Sequence, residues 1–241
     1  LGGDQTESAF TVQAEKIIRQ TPGPEDYPDS SSLLVLDQCD LVLRTDGSGD
    51  NIVHQIYKVL NPEGVRELDS VTVNGEAEII RTIRDGETVE PVHLNRNNYH
   101  MPRLDVGAFV EMKYNTYFPA RYSSYKNYMT FYFQDPYFKN PFVIIRFRLV
   151  VPEQLNLNIK YRNLQKKPLI RRQNNKTEYI FEAHNIERPK TEPYMPPKWE
   201  FLPCVEIFHP QSWDEINNAV RNSLNWGTLV TEEIREECAK I

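Results

Sequence analysis

Over most of the chain, apolar and polar residues alternate with a period of two, while both ends show helical spacing. In "LNLNIKYRN", Leu155, Leu157, Ile159 and Tyr161 share one face and Asn156, Asn158 and Lys160 the other, as in a half-buried strand. "SLLVLDQCDLVLRTDGSGD" is a long strand-like run that ends in an Asp46-Gly47 turn, and "NIVHQIYKVLNPEG" is expected to return beside it as a hairpin. "SVTVNGEAEIIRTIRDGETVEPVHL" repeats the device, with turns at Asn74-Gly75 and Asp85-Gly86. "GAFVEMKYNTYF", "KTEYIFEAHNIE" and "CVEIFH" supply further strands. In "PFVIIRFRLVVP", Val143, Ile145, Phe147, Leu149 and Val151 fall on one side, with Arg146 and Arg148 on the other. Pairing this run with "YMTFYFQ", across a loop bracketed by Asp135-Pro136 and Asn140-Pro141, would bury Phe131, Phe133, Ile145 and Phe147 together. It would also bring Tyr132 near Arg146 or Arg148.

Roughly nine or ten strands with frequent turns and no intervening helices predict an all-β, antiparallel β-sandwich. A helix is expected near residues 6–20, where Phe10, Ala14, Ile17 and Ile18 recur at helical spacing before Pro22 and Pro24. The helical period returns at "HPQSWDEINNAVRNSLNW", opened by the capping box Ser212-x-x-Glu215, with Trp213, Ile216, Val220 and Leu224 on one face. The expected divisions are an N-terminal helix and linker over 1–29, a β-sandwich over 30–210, and over 211–241 the helical start of a following domain.

Composition narrows the chemistry. The 241 residues are 39% hydrophobic and 26% charged, as in a folded globular chain, and the net charge of −6 is spread without long single-sign blocks. The best basic cluster, Lys166, Lys167, Arg171 and Arg172, reads as a solvated loop, so no nucleic-acid partner is expected. No apolar run is long enough to span a bilayer. Cys39, Cys204 and Cys238 are too dispersed for a disulfide framework or a CxxC metal site, and Cys39 and Cys204 would pair only if the fold brought them together. The five histidines show no metal-ligand spacing, and no phosphate-cradling or nucleophile-elbow motif occurs, so no cofactor is expected.

The ordered set "YKVLNPEG", "AEIIRTIRDGETVEP", "GAFVEMKY", "FYFQDPYFKNPFVIIRFRLVVPE" and "YIFEAHNIERPKTEPYMPP", followed by the Ser-Trp helix, resembles the domain of unknown function that precedes transglutaminase-like cores in bacterial proteins. The resemblance implies immunoglobulin-like character for the sandwich. It also implies that the helix from Ser212 leads into a papain-like transglutaminase or peptidase core, and that the protein is periplasmic or on the cell surface. The family's Cys opens a buried helix, with its His and Asp on later strands. Cys204, His209 and Asp214 lie too close in sequence for that arrangement, and Cys238 lacks a downstream His. Both cysteines read as structural or merely exposed thiols, and no catalytic residue is expected in this chain.

The expected role is therefore a non-catalytic module that supports or orients the downstream domain, or recruits its substrate. The alternative is a carbohydrate- or peptide-binding surface module. Its binding residues would be Tyr117, Tyr122 and Tyr125 in "YNTYFPARYSSYKNY", with Tyr137 and Phe138 at the next loop tip.

Overall fold

The computed structural model describes residues 14–119, 127–134, 140–187, 194–210, 212–227 and 238. Residues 14–19 form a helix, α1, and a 3₁₀ turn follows at Pro24–Asp26. Strands β1 (Ser32–Leu43) and β2 (Gly49–Val59) come next, then a short helix α2 (Pro62–Leu68). Seven strands follow it: β3 (Ser70–Thr72), β4 (Glu76–Arg84), β5 (Glu87–Val89), β6 (Val92–Asn95), β7 (Asn98–His100), β8 (Phe109–Phe118) and β9 (Asn127–Tyr132). The remaining elements are β10 (Phe142–Pro152), β11 (Asn158–Arg162), β12 (Leu169–Gln173), β13 (Lys176–Ile186), α3 (Lys198–Phe201), β14 (Cys204–Phe208) and α4 (Trp213–Gly227).

The fold is mostly β. An eight-stranded sheet runs β12-β13-β10-β1-β2-β8-β4-β5, and two three-stranded sheets run β11-β14-β9 and β3-β7-β6. Strand β1 is covered on both faces, so nearly every one of its residues is buried, including the polar Gln38 and Asp40. It pairs antiparallel with β2 and parallel with β10, so the centre of the large sheet is mixed.

The Asp46-Gly47 and Asp85-Gly86 turns close the hairpins β1–β2 and β4–β5 as expected. Asp85 and Gly86 both have positive φ, 52° and 83°, as a two-residue turn matched to strand twist requires. Three expectations are corrected. Asn74-Gly75 does not close a hairpin, because β3 pairs with β7 and β4 with β8. "NPEG" starts a helix: the Asn61 side chain accepts from the Glu63 and Gly64 amides at 2.9 and 3.1 Å, and Pro62 occupies the first turn.

The third correction concerns the aromatic stretch. β9 pairs with β14 rather than β10, so no hairpin joins the two runs. Their rings still meet, because the β11-β14-β9 sheet lies against the face of the large sheet. Phe131 stacks on Phe147 at 4.8 Å, and Phe147 lies 6.1 Å from Phe181. Val205, Ile207, Ile145 and Leu149 complete this core, to which each buried side chain contributes ~1.5–3 kcal/mol. Val71, Val73 and Met101, in and beside the β3-β7-β6 sheet, extend it over Val110 and Met112 of β8. Tyr132 meets Lys198 (4.6 Å from ammonium to ring centroid) rather than an arginine of β10. Cys39 and Cys204 are both buried and both free thiols.

Candidate functional site

The second face of the large sheet is divided along the strand direction. One row of cross-strand neighbours reads Ile144, Leu36 and Ile56 on β10, β1 and β2. With Leu33, Val35 and Leu60 these form a second apolar cluster, over which α1 lays Ala14 and Ile17. The adjacent row is polar: Glu182, Arg146, Gln38, His54 and Lys113 stand opposite one another on β13, β10, β1, β2 and β8. The cause is local. Arg146 and Arg148 occupy the face of β10 opposite Ile145, Phe147 and Leu149, and Gln38 and Asp40 lie on the matching face of β1.

The charges on this face are paired. Arg146 donates to Glu182 at 2.7 Å, and Glu182 also contacts His184 at 2.7 Å. Arg148 donates to Glu178 at 2.6 Å and lies 3.6 Å from Asp40. Glu111 is almost fully buried and bridges His54 Nε2 at 2.8 Å and Arg81 Nε at 2.7 Å. Burial raises the Glu111 pKa, but the bonds from His54 and Arg81 outweigh it and hold the carboxyl below the ordinary glutamate range. At Asp40 burial wins over Arg148 and Gln38, and its pKa is raised. The Nδ1 of buried His54 has no hydrogen-bond partner among the described residues.

Arg81 connects this network to a cavity of about 360 Å³ between α1 and the β4–β5 hairpin. Ala14, Ile18, Ile83 and Phe109 give it an apolar lining, with Arg19 and Arg81 as its cations and Glu15 and Asp85 as its anions. It has the size of a small-ligand site and offers side chains that bind charge; among the described residues that line it, Thr88 on the hairpin is the one hydroxyl or thiol.

A carboxyl of different character, Asp37, lies on the core-facing side of β1 with Cys39. Gln55 Nε2 donates to it at 3.0 Å, and burial pushes its pKa up to about 6. Burial, and then the Asp37 charge, raise the pKa values of Cys39, Tyr57 and Tyr114 in turn.

Among the residues anticipated for binding, Tyr117 is 60% exposed at the end of β8, with the Arg44 guanidinium 5.5 Å from its ring centre. Tyr122, Tyr125, Tyr137 and Phe138 lie outside the described residues. Cys204 is 0% exposed, and burial followed by Glu206 raises its thiol pKa, the opposite of what a nucleophile needs. Among the described residues, no group of three His, Cys, Asp or Glu is placed to hold a metal ion. No helix of the described residues is long and apolar enough to cross a membrane. Sequence reading missed the charged face, although two signals existed: paired arginines inside one strand, and Gln38 and Asp40 at alternate positions inside another.

A family model described as a domain of unknown function with solved structure (DUF3857) matches residues 97–190, the stretch from β7 through β13. The chain is also similar in fold to the solved structure of a "putative protease" from Parabacteroides distasonis, with TM-score 0.63 and 14% identity over 75% of this chain. The chain spans 41% of that protein. No curated protein matches the chain.

Proposed function

We propose that this chain is a non-catalytic, immunoglobulin-like β-sandwich module of a longer periplasmic or cell-surface protein, where it supports or orients a transglutaminase- or peptidase-like domain. The observation that carries the reading is α4. Its Ser212–Glu215 capping box is formed, with the Glu215 amide donating to Ser212 Oγ at 3.2 Å and the Ser212 amide to Glu215 at 2.7 Å. Yet Trp213 is 80% exposed and Val220 50% exposed on this well-started helix. An apolar stripe of this kind is what a following domain would cover. The partial coverage of a larger protein described as a protease supports the same reading.

The test is hydrogen exchange at residues 213–227, in this chain and in a chain extended by the sequence that comes after it in its gene. The extension is expected to slow exchange there by at least tenfold. Unchanged exchange would refute the reading. A rival reading, a carbohydrate- or peptide-binding module, is favoured by the exposed ring of Tyr117; loss of glycan or peptide retention on Tyr117→Ala would support it.

A further inference from the structure

We propose that strand β12 is a docking edge for an extended acidic segment of a partner protein, which would add a ninth strand to the large sheet. The edge is built by the β12–β13 hairpin and needs no downstream domain.

Among the described residues, β12 ends the eight-stranded sheet and pairs with β13 alone. All five of its residues are exposed, including Leu169 at 52% and Ile170 at 47%. The edge is held rigid by its hairpin, because Asn174 and Asn175 have φ of 54° and 57°, the values of a type I′ turn. A two-residue turn closes on a hydrogen-bonded pair, here Gln173 with Lys176. Bonded and non-bonded pairs then alternate, so Leu169, Arg171 and Gln173 turn their backbone groups toward β13. Ile170 and Arg172 turn theirs outward. The free edge therefore presents two N–H and two C=O groups at the spacing a new strand requires.

The side chains specify the occupant. Leu169 and Ile170 are apolar, and Arg171 and Arg172 follow them. Lys166 and Lys167 lie just upstream, on a protein whose net charge is −6. Of these four cations, only Arg171 has a carboxylate neighbour among the described residues, Glu178 at 3.6 Å. An antiparallel partner strand would meet Arg172 and Arg171 first and then Ile170 and Leu169. Its complementary order is two acids followed by two apolar residues. A second copy of this chain paired edge to edge would set arginines near arginines, which disfavours self-association. The opposite edge, β5, is three residues long and followed by Pro91, so it offers no comparable platform.

The experiment is fluorescence anisotropy of a labelled peptide, acetyl-Thr-Glu-Glu-Ile-Val-Thr-amide, against the whole chain. Saturable binding is expected, weakening as salt rises, with at least tenfold weaker binding of the peptide in which both glutamates are lysine. Ile170→Pro deletes one outward N–H and leaves the β13 ladder intact, so it should weaken binding at least tenfold with an unchanged circular dichroism spectrum. The pair Arg171→Glu and Arg172→Glu should do the same without touching the backbone, and serves if the proline variant fails to fold. Absence of binding, equal binding of the lysine peptide, or binding that survives both variants would overturn the proposal. So would a dimer in sedimentation that Ile170→Pro abolishes, which would make the edge a self-association surface.

Discussion

Replacing Asp37 with asparagine isolates the electrostatic consequence of a carboxyl on the core-facing side of β1. The side chains are nearly isosteric, and the asparagine oxygen still accepts from Gln55, which donates to Asp37 at 3.0 Å. What the substitution removes is a charge that burial resists. The Asp37 pKa is raised from 3.8 to about 6. Two units at ~1.4 kcal/mol each set a ceiling of about 3 kcal/mol, and residual solvent contact reduces the expectation to ~1–2 kcal/mol. The sign follows from proton binding. Between roughly pH 4 and pH 6 the folded protein holds a proton on Asp37 that the unfolded chain has released, so stability falls as pH rises through this window. Above it the destabilisation is complete. Asp37→Asn should therefore raise the urea midpoint at pH 8 and leave it nearly unchanged at pH 4. Because other carboxylates titrate in both proteins, the quantity to follow is the difference between the two unfolding curves across pH. A difference independent of pH, or an asparagine variant less stable at pH 8 than at pH 4 relative to the parent, would refute the reasoning.

Glu111→Ala removes the shared partner of His54 and Arg81 and should cost about 3 kcal/mol at pH 7 by urea denaturation. Because the Glu111 pKa is lowered, that contribution should fade as pH falls through and below the ordinary glutamate range. Phe147→Ala opens a hole between Phe131 and Phe181 and should cost ~3–5 kcal/mol, read as a lower calorimetric Tm. Gly64→Ala should destabilise even though alanine is the better helix former by ~1 kcal/mol, because a Cβ there overlaps the backbone carbonyl of Ser31; an increase in Tm would contradict this packing. Trp213→Ala should change the unfolding free energy of this chain, read by urea denaturation, by less than ~0.5 kcal/mol, since its ring is 80% exposed.

Local chemistry was legible in the sequence wherever the structure is local. The turns at Asp46-Gly47 and Asp85-Gly86 and the Ser212–Glu215 box appear as read, and Leu155, Leu157 and Ile159 do pack on the core, although the strand begins only at Asn158 and Tyr161, expected to face in with them, is 42% exposed. Long-range partnering was not. Alternation tells which face of "YMTFYFQ" is apolar, but not that its strand joins β14 rather than β10, because either choice buries Phe131 and Phe133. The same ambiguity hid the charged face. Arg146 and Arg148 were legible as the outer side of β10, but Gln38, Asp40 and Glu182 become their neighbours only once the strand order is known. The α2 helix was hidden by its brevity, although Asn61-Pro62 is a sound helix-start signal.

The parallel pairing of β1 with β10 also bears on how the chain reaches its fold. Gln38 and Arg146, neighbours in the finished sheet, are 108 residues apart in sequence. Closing that loop carries an entropic cost that is reduced only once the β1–β2 and β2–β8 pairings have formed, so the central seam should form late. Until the ribosome has released β10, β1 has an open hydrogen-bonding edge along a long, largely apolar strand. Folding of this protein should therefore be limited by the arrival of one strand, and its nascent form should be most prone to aggregation just before that strand emerges.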